Sequence, residues 1–442
     1  MRKKKVLVIG SGFNSLATAY YLKSKNNDVK LIFERGIKGV LGSVKIENEN
    51  FDLGYQFFDG LDKETNKFIR NMFSNEDLYD FKYGATTFSN NLLYKDHAIP
   101  YWMSYGKKFV LEAFLFYLRK FLLRLISEKN EKINNLADLY KNLPKNIRYI
   151  MFKGCEKNYQ IKPEKLEPSA HQMSTFTNFR QTLFNDKISN FLKRNSRFFD
   201  DHLASRRKSI SSLEGISLYP KGKNMEYIAD KLIDKLKKEG VIFEKNNFET
   251  INLISSLGKV NYNNEIFDQV LVTTNLTNVQ RLFKIDRSTS YEHFVSQVFI
   301  YFTLKNVDFK YQYVQMNDLN LYCSRISNCS LYSRLTGKNN QLIIAEIPLS
   351  PKSELWDDDE KLKKIAWGEI LKCGILNTNL KYNNAEILKI PKTFGLPKVN
   401  FFRFLNSIEK NINEKFAGNV LMIGQGIFTR HRFVKELISK LN

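Results

Sequence analysis

The first 34 residues alternate between apolar and polar stretches in the order typical of a strand, a helix and a second strand. Residues 5–9 are almost entirely apolar, a glycine-containing turn follows at 10–15, and helix-forming residues lead to a second apolar run that ends at Glu34. Short continuous apolar runs of this kind are typical of parallel strands that are buried on both faces. The pattern therefore predicts a βαβ unit at the start of the chain.

The remainder of the chain changes its hydrophobic period several times. A strand pair is predicted at 44–46 and 51–54, and the glycine-poor stretch 62–205, with its long amphipathic runs, is predicted to be largely helical. Further on we predict helices at 225–239 and 359–376, strands at 241–244, 249–255, 259–264 and 267–274, antiparallel strands at 295–304 and 341–347, and a strand, glycine turn and helix over 418–441. These elements predict an α/β fold, and 442 residues are too many for one ordinary core.

The turn at 10–15 has the spacing of a dinucleotide-binding fingerprint. Gly10 permits a tight turn, and Gly12 lets the backbone approach a pyrophosphate at the positive end of the helix. Glu34 is placed to accept hydrogen bonds from ribose hydroxyls. Ser15 stands where glycine or alanine is usual, so we expect slightly looser packing of helix and strand there. The alternative is a glycine-rich turn in another kind of α/β protein.

The chain is strongly basic, with a formal net charge of +23. Lysines are spread along the whole sequence without a nucleic-acid-binding motif, so we interpret most of them as solvated and expect no nucleic-acid partner. Anionic partners, either phosphate-bearing substrates or an acidic membrane surface, remain the alternative. The apolar segment 107–129 is interrupted by Arg119, Lys120 and Arg124, which suits either a core helix with a basic wet side or a peripheral helix in a membrane interface.

Cysteine usage and the N-terminus both point to a reducing, cytoplasmic setting. The four cysteines have no C-x-x-C spacing, and the basic start Met-Arg-Lys-Lys-Lys leads directly into a strand without a signal-peptide apolar region. No group of His, Cys, Asp and Glu has the spacing of metal ligands, so we expect no metal site. A bound organic cofactor is therefore expected to supply the chemistry.

The order of motifs resembles the FAD-dependent amine oxidases and protoporphyrinogen oxidases. It is also similar to related flavoproteins of surface-polysaccharide clusters, including UDP-galactopyranose mutase. The motifs that carry the resemblance are the fingerprint at 10–15 with Glu34 and Arg35, Phe51-Asp52-Leu53-Gly54, Tyr219-Pro220-Lys221-Gly222, the strand 268–274 and the segment that begins at Gly424. The resemblance implies a Rossmann-like FAD-binding domain assembled from 1–61, 206–280 and 400–442, and an α+β substrate domain with a helical part at 62–205 and an antiparallel sheet at 281–399.

The resemblance also implies which residues hold the flavin. The pyrophosphate, ribose and ring would be held by Gly10, Gly12, Phe13, Asn14, Ser15, Glu34, Arg35, Gly39, Gly42, Ser43, Thr273, Thr274, Gly424, Gln425, Gly426 and Ile427. Residues 244–251 would supply a strand near the adenine. The chain departs from the family pattern at Lys38, Gln56 and Gln425, which replace a glycine, a histidine and a charged residue.

Two residues are candidates for work on the substrate. Arg325, with Arg334, is placed to clamp a phosphate or carboxylate, and the alternative is a strand-edge arginine in a surface ion pair. His431 follows the predicted flavin turn and is the candidate for proton transfer, although a structural histidine is the alternative.

Three functions are compatible with these features. The first is an FAD-dependent oxidoreductase that removes hydride from, or desaturates, a small and sugar-related substrate. The second is a non-redox mutase that acts on an anionic nucleotide sugar in surface-polysaccharide biosynthesis. The third is a flavin-binding scaffold without catalysis.

Overall fold

The computed structural model describes residues 3–81, 85–95, 105–126, 133–141, 143–172, 184–203, 216–305, 307, 309, 311–333, 340–427 and 429–441. These residues form twenty strands: β1 Lys5–Ile9, β2 Asp28–Phe33, β3 Ser43–Ile46, β4 Glu49–Asp52, β5 Phe58–Leu61, β6 Leu78–Phe81, β7 Ala85–Ser89, β8 Leu92–Lys95, β9 Ile216–Pro220, β10 Ile242–Lys245, β11 Ile254–Ser256, β12 Lys259–Tyr262, β13 Glu265–Phe267, β14 Gln269–Val272, β15 Glu292–Lys305, β16 Tyr313–Met316, β17 Arg325–Asn328, β18 Asn340–Pro348, β19 Asn384–Pro397 and β20 Val420–Met422. The helices are α1 Gly12–Ser24, α2 Lys63–Phe73, α3 Lys107–Ile126, α4 Lys145–Tyr159, α5 Asp186–Asn195, α6 Arg197–His202, α7 Met225–Lys238, α8 Leu276–Leu282, α9 Cys329–Ser333, α10 Asp359–Lys372, α11 Phe401–Phe416 and α12 Arg430–Leu441.

The chain divides into two compact units. Unit 1 comprises Met1–Phe81, Ile216–Glu292 and Asn400–Asn442, and unit 2 comprises Lys82–Gly215 and His293–Val399. Helix α2, which begins after residue 62, packs against α7 and α12 and belongs to unit 1. Its capping box between Asp62 and Thr65 starts this helix directly after β5.

Unit 1 contains a five-stranded parallel sheet in the order β10-β2-β1-β14-β20. Val6, Leu7, Val8 and Ile9 of β1 are all fully buried, as expected of a central strand with both faces covered. Apolar side chains of β1, β14 and β20 pack on one face against α8 and α11, a helix that the sequence analysis did not predict. The predicted βαβ start of the chain is therefore present.

Unit 2 contains a seven-stranded sheet in the order β19-β15-β18-β17-β16-β7-β8. Alternate side chains of the sheet, including Val298, Ile343 and Ile326, form an apolar core that also contains Trp367 and Ile370 of α10. The antiparallel pairing of β15 with β18 joins the two segments that were predicted as antiparallel strands. The predicted α/β class with both parallel and antiparallel sheets is confirmed.

The prediction that 62–205 is largely helical was wrong for residues 78–95. Strands β6, β7 and β8 lie there; β7 pairs parallel with β16, and β8 is the edge strand of the sheet of unit 2. The turn between β7 and β8 contains Asn90 and Asn91 with φ of 49° and 61°. Two adjacent asparagines in the left-handed region are typical of a tight hairpin turn, so the sequence did carry a signal for these strands.

Candidate cofactor site

Three loops of unit 1 leave the same edge of its parallel sheet. Strands β1, β14 and β20 lie side by side and run in the same direction. Gly10, Thr273 and Ile423 follow their last residues, and each leads through a turn to a helix. The carboxyl edge of an open parallel sheet is where such folds bind their ligands.

The first turn is closed by a hydrogen bond between two residues that lie 258 positions apart in the sequence. The Ser15 and Thr273 hydroxyls lie 2.8 Å apart, and both side chains are buried. A Cβ atom on Gly10 would lie 2.5 Å from the Thr273 oxygen and 2.7 Å from the Ser15 oxygen. We expected Ser15 to loosen the packing of helix and strand. Its hydroxyl instead joins α1 to the end of β14, and a side chain at position 10 would collide with both hydroxyl groups.

The second turn, at 39–42, lies directly against the first. A Cβ atom on Gly39 would stand 3.0 Å from the Gly12 Cα, and Gly39 has φ of +55°. The Gly12 amide donates to the Ile37 carbonyl at 2.7 Å. The backbones of Gly12 and Gly39 therefore lie in contact at the N-terminus of α1. A side chain on either residue would occupy the space next to this contact.

Charged groups on α7 hold this second turn in place. The Lys38 ammonium lies 2.6 Å from a Glu226 oxygen and 2.9 Å from an Asp230 oxygen. The Ser43 hydroxyl donates to the second oxygen of Glu226. Lys38, a departure from the family pattern, thus anchors the turn to the protein, and the Gly42 amide closes it on the Gly39 carbonyl at 3.2 Å.

The N-terminus of α1 keeps its positive end available. Ser11 at the N-cap makes no side-chain capping bond, and the first turn contains no acidic residue. The amides of Phe13 and Asn14 belong to the first turn, whose N–H groups have no partner within a helix. The Phe13 side chain itself packs on Phe58 and Phe433, so only its backbone can face a ligand.

Glu34 at the end of β2 is held by a bidentate ion pair. Arg281 of α8 donates from Nη1 to Oε2 at 2.7 Å and from Nη2 to Oε1 at 2.6 Å. The Phe248 amide donates to Oε1 at 3.2 Å, which brings the predicted segment 244–251 beside this carboxylate. The Arg281 hydrogen bonds lower the pKa of Glu34, and the charge of Arg35 acts in the same direction.

Arg281 orients Glu34 and has no donor to spare. Its remaining N–H groups reach Glu249 at 3.2 Å, Asn278 at 3.1 Å and Asn247 at 3.4 Å, so all five donors of the guanidinium have acceptors. A carboxylate offers about four lone-pair sites, and three are occupied here. Glu34 therefore retains acceptor capacity for a ribose hydroxyl, while Arg281 acts only as a positioning residue.

The resemblance implies that the ligand is FAD. We expect Arg281→Ala to weaken FAD binding about fivefold, because the Glu34 carboxylate would lose its fixed orientation and about one net hydrogen bond. Quenching of flavin fluorescence on titration measures this affinity. Arg287→Ala is the matched control, because Arg287 is exposed and is paired with Glu249 instead of Glu34. FMN lacks the adenosine, so an equal loss of FMN binding would contradict the assignment.

The C-terminal turn is fixed to the neighbouring strand by Gln425. Its buried amide nitrogen donates to the Val272 and Thr274 carbonyls, both at 2.9 Å. The Gly424 amide donates to Glu436 of α12 at 3.0 Å, and the Ile427 amide donates to the Gly424 carbonyl at 3.2 Å. The side chain of Gln425 is thus used within the protein, which leaves its backbone for a ligand. Thr274 is also engaged, because its hydroxyl accepts from Asn278 at 2.9 Å.

Arg430 links this turn to the segment after β4. The sequence did not identify this arginine as a site residue. Arg430 donates to the Phe57 carbonyl at 2.9 Å and to Gln56 Oε1 at 2.7 Å. The guanidinium lies over the rings of Phe13 and Phe58. Burial lowers the pKa of Arg430 to about 10, so it stays protonated at neutral pH.

Two polar atoms beside Arg430 have no hydrogen-bond partner. The Thr429 Oγ1 and the His431 Nδ1 are both buried, and neither finds a partner in the structure as described. Buried polar atoms without partners are uncommon in proteins and often mark ligand sites. His431, the predicted proton-transfer residue, therefore presents an unused ring nitrogen next to the C-terminal turn.

We expect the His431 imidazole to be neutral at pH 7. Burial lowers its pKa below the ordinary 6.5, and the opposing charge of Asp59 does not reverse this. NMR titration of histidine-labelled protein measures the value, with His431→Gln identifying the resonance. A pKa above 6.5 would contradict the described surroundings of this ring.

Asp52, known from the sequence only as part of a motif, is a buried acid at the end of β4. Its side chain is 3% exposed and accepts from the Tyr219 hydroxyl at 2.5 Å and from the Met225 amide at 2.8 Å. Burial raises the pKa of Asp52 to about 6, although these hydrogen bonds and the charge of Arg430 oppose the rise. Asp52 joins the β3–β4 hairpin to β9 and to the start of α7.

The other substrate candidate, Arg325, belongs to unit 2. It forms an ion pair with the fully buried Glu346 on the adjacent strand, and its guanidinium lies over the Tyr313 ring. A guanidinium whose charge is already matched by a carboxylate is a weaker anion clamp than the sequence suggested. Arg334 lies outside the described residues.

Within the described residues no group of three or more His, Cys, Asp or Glu side chains could hold a metal ion.

No protein-family model matches the chain, and no curated protein sequence matches it. Several solved structures, however, match the chain in their fold. A reduced UDP-galactopyranose mutase matches with a TM-score of 0.70 at 13% identity, over 99% of this chain and 96% of that chain.

Two further structures are similar to the whole chain. A putrescine oxidase matches with a TM-score of 0.61 at 8% identity, over 99% of this chain and 98% of that one. A protein from Exiguobacterium assigned as a protoporphyrinogen oxidase matches with a TM-score of 0.58 at 12% identity, over 100% and 98%. The chain therefore has the fold shared by the amine oxidases, protoporphyrinogen oxidase-like proteins and UDP-galactopyranose mutase, which confirms the resemblance seen in its motifs.

Proposed function

We propose that the chain binds FAD and is an FAD-dependent oxidoreductase of the amine oxidase-like type. The observation that carries this proposal is the contact between the Gly12 and Gly39 backbones at the N-terminus of α1. A diphosphate is the ligand that such a glycine-lined, positively polarised helix end suits best. The shared fold supports the same conclusion.

The described residues fit the successive parts of FAD. The amides at the start of α1 and the turn at 39–43 would hold the pyrophosphate, and Glu34 would accept from the adenosine ribose. The C-terminal turn from Gly424 to Ile427 would approach the ribityl chain and the ring. There the unpartnered Thr429 and His431 atoms supply polar contacts for the ring edge or for a substrate.

When bound, FAD supplies the acceptor for hydride from a carbon next to nitrogen or oxygen. The protein contributes charge and proton transfer around it. Arg430 places a fixed positive charge beside the C-terminal turn, which stabilises negative charge developing there. His431, kept neutral by burial, can accept a proton at Nδ1, the ring nitrogen that has no partner.

The likeness to UDP-galactopyranose mutase favours a second candidate. In that case the chain would act on a nucleotide sugar without net oxidation, and a UDP-sugar would be its substrate. The ion pair between Arg325 and Glu346 weakens this candidate, because it leaves that arginine with little net charge for a diphosphate.

Absorbance spectroscopy of the purified chain, loaded with FAD and titrated without oxygen, separates the candidates. Bleaching of the flavin by an amine or a sugar-related compound without added reductant is the result we expect. Thermal protection by a UDP-sugar without bleaching would instead favour the mutase. Failure to take up FAD at all would overturn both candidates.

A further inference from the structure

Helix α3 in unit 2 exposes an apolar stripe to solvent. Leu111, Leu115, Leu118 and Leu122, here called the leucine stripe, are 56%, 52%, 36% and 49% exposed. Their spacing of four, three and four residues places them on one face of the helix. The opposite face is buried through Phe109, Ala113 and Tyr117.

This arrangement differs from that of an ordinary surface helix, whose solvent face is polar. The sequence alternatives for 107–129 were a core helix with a basic wet side and a helix lying in a membrane interface. Residues 127–129 lie outside the described residues. Over 107–126 the helix buries one apolar face and still presents leucines on the other, so packing among the described residues does not account for the leucine stripe.

Helix α5 shows the same inversion. Ile188 and Phe191 are 46% and 67% exposed, whereas Ser189 and Lys193 are buried. The ring of Phe184, just before α5, lies 5.8 Å from the ring of Phe114 on α3. The two helices therefore belong to one region of unit 2 in which apolar side chains point outward.

The basic residues exposed on α3 and α5 indicate what covers the leucine stripe. Lys107, Lys108 and Arg119 are exposed on α3, and Lys187 and Arg194 are exposed on α5. A second copy docked symmetrically on the leucine stripe would bring these like charges together. An anionic surface would instead meet them with opposite charge, and the net charge of +23 adds a long-range attraction.

We propose that α3 lies in the surface of an anionic lipid membrane, with the leucine stripe in the acyl region and the flanking lysines and arginine among the headgroups. The helix does not need to span the bilayer. Among the described residues no helix is both long enough and apolar enough to do so.

Co-sedimentation of the full chain with vesicles tests this proposal. We expect the wild type to bind vesicles that contain phosphatidylglycerol, and to bind pure phosphatidylcholine weakly. The double variant Leu115→Gln/Leu118→Gln should bind the anionic vesicles at least about tenfold more weakly. Leu257→Gln, which changes a fully exposed leucine in unit 1, should bind like the wild type.

A second pair of measurements separates surface effects from folding. Lys107→Glu/Lys108→Glu should also weaken binding to anionic vesicles, and added salt should weaken wild-type binding, because exposed charges are screened. Thermal unfolding should be unchanged in both double variants, since the altered side chains are exposed.

Three outcomes would overturn the proposal. The wild type could fail to bind anionic vesicles, or the leucine-stripe variant could bind them as tightly as the wild type. In the third, light scattering would show a dimer of the wild type that the leucine-stripe variant loses while neither binds vesicles, which would assign the face to a second copy. FAD binding does not enter these measurements, so the proposed function can fail independently.

Discussion

Gly39→Ala is expected to weaken FAD binding about hundredfold. The new methyl group would stand 3.0 Å from the Gly12 Cα, and φ of +55° is unfavourable for alanine. In the free variant the turn relaxes away from the left-handed backbone, whose cost of roughly 1–2 kcal/mol is then incurred on binding, and displacement of the Gly12 backbone from the diphosphate adds to it. A total of about 3 kcal/mol corresponds to about hundredfold in affinity.

Gly36→Ala is the matched control for this substitution. A Cβ atom on Gly36 would meet nothing within 4 Å, so FAD affinity should stay at the wild-type value. Fluorescence titration gives both affinities, and thermal unfolding of the protein without FAD should show only a small loss for Gly39→Ala. Wild-type affinity in Gly39→Ala would show that the two glycine turns do not hold the diphosphate.

Asp52→Asn is expected to remove a fall in stability that the wild type shows between pH 4 and pH 7. The pKa of Asp52 is 3.8 ordinarily and about 6 in the folded chain, so the folded state holds its proton over a range in which the unfolded state releases it. Stability from this group is therefore greatest below pH 3.8 and declines as the pH rises to about 6. At pH 7 the buried carboxylate costs about 3 kcal/mol.

The asparagine side chain preserves the shape of the site. Its oxygen can accept from the Met225 amide and its nitrogen can donate to the Tyr219 oxygen. Urea unfolding at several pH values, compared for the two proteins, measures the effect. The control is Asp234→Asn on the exposed side of α7, which should keep the wild-type pH profile. If the free energy of unfolding had the same pH dependence in Asp52→Asn and in the wild type, burial of the Asp52 carboxylate would not destabilise the folded chain.

Local pattern was sufficient for the first βαβ unit. Residues 5–34 carry an apolar strand, a glycine turn and a helix whose hydrogen bonds are all formed nearby, so the sequence predicted these elements. The same applies to the glycines of the fingerprint, because their backbone requirement is local. The hairpin at 85–95 was missed although its two asparagines signalled it, since the surrounding amphipathic runs favoured a helix.

The residues that complete the candidate site depend on contacts between distant parts of the chain. Arg281 lies 247 residues from Glu34, and Ser15 lies 258 residues from Thr273. No spacing rule connects such partners, because only the parallel order of β2, β1 and β14 brings them together.

The sequence alone therefore determined the βαβ start of the chain, its α/β class and the resemblance that its fold confirms, since these follow from short-range backbone preferences and hydrophobic period. Folding decided that Arg281 fixes Glu34, that Asp52 is buried, that Arg325 is matched by Glu346 and that α3 exposes leucines. Burial and ion pairing are properties of the packed chain, and they set charge and exposure at each of these positions.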